Sequence, residues 1–166
     1  MKYIYLRHGL TSFSVENKFM GRANLPLLSL APEAFKKSIQ FINDHSVDTV
    51  LCSPLLRAKQ TFDIIRPHIN LNKCTESHLL IERDFGLFEG KKKNEKNRAL
   101  LEIDKSVEPI NLFMSRIASF FELHEKETNS CLIIGHSAFF REATKLFNLK
   151  NKSSINCCEA VILEFP

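Results

Sequence analysis

Tyr3-Ile4-Tyr5-Leu6-Arg7-His8-Gly9-Leu10-Thr11 opens on four apolar or aromatic residues and changes character abruptly at Arg7-His8-Gly9. Residues 3–6 predict a short buried strand, and the charged residues after it sit where the backbone leaves the sheet. In an open α/β sheet that end of a strand is where ligands bind. An imidazole and a guanidinium delivered there suit phosphoryl chemistry. His8 is a candidate nucleophile, Arg7 offers a planar fork of donors for phosphate oxygens, and Gly9 permits a sharp exit and close backbone approach. Taken alone, the tripeptide reads equally as a turn with a solvated arginine and a capping histidine.

The same pattern recurs late in the chain. Residues 131–134 are continuously apolar, Gly135-His136-Ser137 follows, and a helix is expected over 138–147. Between these ends lies an ordered alternation. An irregular stretch over 12–30 is longer than a compact domain tolerates without purpose and is expected to fold over the site. Pro32 suits the first turn of a helix reaching about residue 45, and the β-branched run 47–52 predicts a second strand. Ser53-Pro54 reads as N-cap and first helical residue of a helix to about 67, which places Arg57 in its first turn. An arginine there opposes the helix dipole, a cost that an anionic ligand at the same end turns into a gain.

A third short strand is expected at 79–81, delivering Glu82 and Arg83. An amphipathic helix is expected from Ile110 to about His124, and a last strand at 160–163, at a sheet edge. Strands alternating with helices predict a doubly wound α/β fold, with a mainly parallel sheet flanked by helices, in a single domain over 1–166. In such a sheet Arg7, His8, Arg57, Glu82 and His136 converge on one crevice.

Composition bounds the remaining possibilities. The 166 residues, 44% of them hydrophobic, are enough for one substantial core. A net charge of +4 agrees with an anionic substrate without requiring nucleic acid or a membrane surface. The run Lys91 to Arg98 is strongly basic but carries no interleaved aromatic residues, so it reads as a solvated face. The five cysteines have no metal-type spacing and read as reduced thiols, with Cys157-Cys158 as two faces of one strand. No metal site or cofactor is expected. No apolar run approaches membrane-spanning length and the N-terminus lacks a signal-peptide segment, so a cytoplasmic protein is expected.

Spaced motifs along almost the whole chain resemble the histidine phosphatase superfamily, the phosphoglycerate mutase-like group. They are LRHG at 6–9, ENKFMGR at 16–22 with Pro26-Leu27, SPLLRAKQT at 53–61, ERDFGLFEG at 82–90, and GHS at 135–137. The resemblance implies that His8 is the phosphorylated histidine, that Arg7 and Arg57 grip phosphoryl oxygens, and that His136 is the second histidine of the pocket. It makes Glu82 the proton donor and acceptor, with Glu89 the competing carboxylate. Thr11, Ser14, Gly21 and Ser137 are expected around the substrate, and the other ring nitrogen of His8 is expected to be held by a backbone carbonyl.

This chain departs from the family pattern at Leu10, Ser14, Met20, Asn24 and Ser137-Ala138. Mutases carry a long arginine-bearing insertion after the ERDFG region, and here the interval is short, a small cap over about 91–108. The resemblance therefore implies a small-cap phosphatase of the α-ribazole phosphatase type, acting without a metal on a small phosphomonoester. A phosphohistidine protein phosphatase and a phosphate-binding module with impaired catalysis are the alternatives.

Overall fold

Alternation with a period of two along the central strands decides how the layers form. The computed structural model describes residues 3–71, 73–124, 130–150 and 153–166. Along the chain come β1 (Tyr3–Arg7), α1 (Ser12–Val15), α2 (Lys36–Asn43), β2 (Thr49–Cys52), α3 (Leu56–Ile65) and β3 (Lys73–Glu76). After them come α4 (Glu95–Leu101), α5 (Ile110–His124), β4 (Cys131–Gly135), α6 (Ser137–Leu146) and β5 (Ala160–Ile162). The sheet order is β3-β2-β4-β1-β5, with β5 antiparallel to β1 and the other pairings parallel.

Tyr3, Tyr5, Cys131 and Ile133 point to one face, where Phe113, Ile117 and Phe120 of α5 and Phe139 of α6 cover them. Ile4, Leu6, Leu132 and Ile134 point to the other, against Ile42 of α2 and Ala58 and Ile65 of α3. A sheet covered on both faces needs apolar residues at every strand position, which is why β1 and β4 read as unbroken apolar runs. The doubly wound α/β expectation is met.

The third strand lies elsewhere than expected. Residues 79–81 belong to a 3₁₀ turn at His78–Leu80, and the strand is Lys73–Glu76. Leu80 is apolar because it fills the core beside α5, while Arg116 of α5 donates to the carbonyls of Leu79 and Ile81. β3 pairs only with β2 and is largely exposed, so an edge position lets it carry polar residues.

Two smaller expectations are also corrected. Helix α3 starts at Leu56 with Leu55 as N-cap, because the Ser53 hydroxyl is engaged with His136, and Asn24 Oδ1 accepts the Leu56 N–H at 2.8 Å. Cys157 and Cys158 lie in a turn rather than a strand; Cys158 is left-handed, with φ 62°, and its N–H is bonded to the Arg7 and His8 carbonyls. All five cysteines are free.

The face under α5 and α6 is aromatic. Phe120 and Phe139 meet edge to face at 5.7 Å, and Phe113 and Phe139 at 6.3 Å. Among the described residues no helix is long and apolar enough to cross a membrane. Phe120 is fully buried, so Phe120→Ala should lower unfolding free energy by about 3–5 kcal/mol in a urea titration. A loss below about 1 kcal/mol would show that this cluster is not the core.

Candidate active site

Parallel pairing sets the site. Arg7 lies opposite Gly135 in the β1–β4 register, so the two chains leave the sheet together. The ladder continues past the strand ends: His8 N–H donates to the Gly135 carbonyl at 3.1 Å, and Ser53 N–H to that of Ile134 at 3.0 Å. His8, His136 and Ser53, each the first residue beyond its strand, are thereby grouped and buried. The two imidazole centroids are 5.3 Å apart.

His8 Nδ1 is 2.7 Å from the Gly9 carbonyl. A carbonyl only accepts, so Nδ1 carries the proton and Nε2 the lone pair. Burial, then Arg57 and Arg7, hold this ring well below its ordinary pKa and keep it neutral. The Gly9 N–H in turn donates to Thr61 Oγ1 of α3 at 3.0 Å, which ties the peptide between His8 and Gly9 to that helix. Burial, then Arg57 and His8, likewise hold His136 low. His136 Nε2 is 2.7 Å from Ser53 Oγ, and its Nδ1 is buried without a partner among the described residues.

The backbone of His136 is clamped from β1. The Tyr5 hydroxyl donates to the His136 carbonyl at 2.8 Å and accepts its N–H at 2.7 Å. A Cβ at Gly135 would lie 2.2 Å from that hydroxyl oxygen, so glycine is required there for close approach.

The arginines have double duties. Arg7 Nη1 donates to the Ile155 carbonyl at 2.8 Å. Arg57 Nη1 and Nη2 hold the carbonyls of Ala23 and Gly21 at 2.9 and 2.8 Å, which secures the long loop to α3. Burial pushes Arg57 down to about 10, still charged at neutral pH. The Nε of each arginine is buried and unpartnered among the described residues, so each retains a donor suited to an anion.

Glu82 is buried and accepts three backbone N–H groups, from Arg83, Ala138 and Phe139. The last two open α6, whose N-cap is His136, so one carboxylate ties Glu82 to the histidine junction. Glu89 is directed elsewhere, accepting the N–H of Arg22 at 2.6 Å and of Phe85 at 3.4 Å.

Of the expected substrate contacts, Ser137 opens α6 and lines the cleft beside Glu82. Gly21 lends its carbonyl to Arg57. Thr11 and Ser14 bond each other in a capping box at α1, which occupies their polar groups.

A cleft of about 740 Å³ opens beside Glu82, with Phe19, Lys93, Ser137 and Arg141 in its lining. Sequence reasoning missed Ser53, Tyr5, Thr61 and Lys93. Ser53 had a readable signal, since it follows its strand as His8 and His136 follow theirs. Lys93 had none, being one of three consecutive lysines in a run read as a solvated face.

A family model described as the histidine phosphatase superfamily (branch 1) matches residues 3–157. An uncharacterized phosphatase of Bacillus subtilis, PhoE, is 33% identical over 85 residues, which is 51% of this chain and 44% of that protein. The sedoheptulose 1,7-bisphosphatase of Saccharomyces cerevisiae is 26% identical over 111 residues, 62% of this chain and 41% of that one. These matches span less than half the length of either relative. Among solved structures, a candidate alpha-ribazole-5'-P phosphatase from Escherichia coli superposes with a TM-score of 0.79 at 20% identity, covering 98% of this chain and 89% of that one.

Two consequences are measurable. Unfolded histidines take up protons near pH 6.5, whereas folded His8 and His136 resist protonation. The unfolded state therefore binds more protons below that pH, and stability falls as pH drops through it, by up to about 1.4 kcal/mol per pH unit for each ring. Urea midpoints between pH 7.5 and 5 should show this slope, reduced in His136→Gln. Tyr5→Phe strands the His136 N–H and should cost about 1–3 kcal/mol in the same titration; an unchanged midpoint would remove the clamp from the account.

Proposed function

The chain belongs to the histidine phosphatase superfamily, and from that premise we propose that it is a metal-independent phosphatase acting on a small phosphomonoester through a phosphohistidine at His8. The observation that carries the reading is a neutral His8, with its proton fixed on Nδ1 by Gly9, set beside His136 and two arginines. A ring in that state offers the Nε2 lone pair to phosphorus. Phosphoryl transfer asks mainly for in-line positioning and charge stabilisation, which paired guanidiniums and a second imidazole can supply.

In the first step a bond forms between His8 Nε2 and phosphorus as the bond from phosphorus to the ester oxygen breaks. The departing oxygen takes a proton from Glu82, which reaches this step as the carboxylic acid and leaves it as the carboxylate. In the second step that carboxylate removes a proton from water, whose oxygen attacks phosphorus. The bond to Nε2 breaks, and inorganic phosphate and neutral His8 are released. Glu82 is preferred to Glu89 because it contacts the helix that His136 caps, whereas Glu89 is bonded to the Arg22 and Phe85 backbone.

With an aryl phosphate and a chelator present, the wild type should turn over, and His8→Ala should lose roughly a thousandfold or more in kcat/KM. Glu82→Gln should lose on the order of 10²–10⁴. Quenching in denaturant at alkaline pH should trap an acid-labile phosphate on His8. Phosphate affinity without turnover, or turnover confined to a phosphohistidine protein, would replace this reading.

A further inference from the structure

The segment from Ile155 to Glu159 holds Arg7 at three points. The Ile155 carbonyl accepts from Arg7 Nη1 at 2.8 Å, the Cys158 N–H donates to the Arg7 carbonyl at 3.2 Å, and the Glu159 carbonyl accepts the Arg7 N–H at 3.1 Å. The Cys158 N–H is shared with the His8 carbonyl at 3.3 Å, so one peptide steadies both an arginine and the nucleophile of the proposed reaction. That peptide joins two cysteines.

Cys157 and Cys158 are the central residues of a β-turn closed by the Glu159 N–H on the Asn156 carbonyl at 3.2 Å. The second of them, at φ 62°, occupies a position that suits glycine or asparagine. A cysteine there is held by the bonds its backbone makes, including the Ser38 hydroxyl on the Cys158 carbonyl, rather than by local preference. Both thiols are free and half-buried, and both line an open cavity of about 660 Å³ between this turn and the first turn of α2. The lining includes none of Arg7, His8, Arg57, Glu82 and His136, so a small solute reaches the thiols without crossing the catalytic pocket.

Joining these two sulfurs cannot leave the turn as it is. Consecutive Cα atoms lie about 3.8 Å apart across a trans peptide, whereas bridged cysteines normally stand roughly 4.4–6.8 Å apart. The peptide between Cys157 and Cys158 must therefore distort, and its N–H leaves the carbonyls of Arg7 and His8. Resting on the phosphatase reading, we propose that Cys157 and Cys158 are a modification site for hydroperoxides, at which closure to a vicinal disulfide displaces Arg7 and His8 and reversibly stops turnover. In the first step the Cys157 sulfur bonds a peroxide oxygen as the O–O bond breaks, and the thiol proton goes to the departing oxygen. Sulfur is oxidised to a sulfenic acid and the peroxide is reduced to an alcohol or water. In the second step the Cys158 sulfur bonds that of Cys157, the S–O bond breaks, and the hydroxyl leaves with the Cys158 proton as water. Burial pushes the Cys158 thiol up to about 11, which suits it to this intramolecular step rather than to meeting the oxidant. Strained disulfides are the readily reduced ones, so a thiol reductant reopens the pair.

The test treats the reduced full chain with hydrogen peroxide, alkylates the remaining thiols, and follows the peptide containing residues 157–158 by mass spectrometry beside hydrolysis of an aryl phosphate. That peptide should lose two hydrogens and escape alkylation while kcat falls in step by at least about tenfold, and dithiothreitol should restore both. Cys157→Ser, and Cys158→Gly as a second variant suited to the left-handed position, should keep basal turnover and resist the reversible loss. The exposed control Cys74→Ser should respond as the wild type does. Thiols at 157 and 158 that stay alkylatable, a disulfide with turnover intact, or equal loss in both variants overturns the switch and leaves the phosphatase reading standing. A reduced, folded wild type that hydrolyses no phosphomonoester overturns that reading instead. The switch is then decided by the His8 imidazole resonances, which must shift on oxidation in the wild type and stay in place in Cys157→Ser.

Discussion

The hydroxyl of Tyr5 against the peptide of His136 is the contact on which the arrangement of this site depends. It joins β1 to the exit of β4 through both the N–H and the carbonyl of one residue. It works only because Gly135 has no side chain and because the two strands run parallel in a register that sets Arg7 opposite Gly135. The separation of the two imidazoles is therefore a property of the sheet, held by rigid backbone rather than by a flexible loop. Such support is what a site needs when its members must stay aligned within fractions of an ångström.

The second constraint is electrostatic. Two imidazoles buried beside two guanidiniums are stable only while they remain neutral, and neutrality is also the state in which His8 can offer a lone pair. The features that destabilise the protein on acidification and those that prepare it for phosphoryl chemistry are thus the same. Arg57 links this pocket to the long loop, because its terminal nitrogens hold the Gly21 and Ala23 carbonyls while its charge acts on both histidines. The loop that carries Phe19 to the cleft is consequently fastened at the pocket.

Legibility in the sequence followed burial. β1 and β4 were plain because strands covered on both faces must be apolar throughout, and α5 because Phe113, Ile117, Phe120 and Phe121 recur at helical spacing. The strand misplaced to 79–81 shows the converse. An exposed edge such as Lys73–Glu76 needs no hydrophobic pattern, while an apolar turn such as His78–Leu80 needs one because it packs against α5. Ser53 was read as a cap because serine before proline predicts one, yet its hydroxyl found a histidine far away in sequence.

What the sequence determined by itself was the alternating α/β order, the residues at the strand exits and the family to which they belong, since each is written in local pattern and spacing. Only the tertiary structure decided which donors and charges those residues meet. Glu82 is joined to the first turn of α6 while Glu89 is not, Thr11 and Ser14 bond each other, and Lys93 stands half-buried and unpaired beside Glu82. Hydrogen-bond partners and desolvation depend on which distant segments fold together, and no local pattern carries that information.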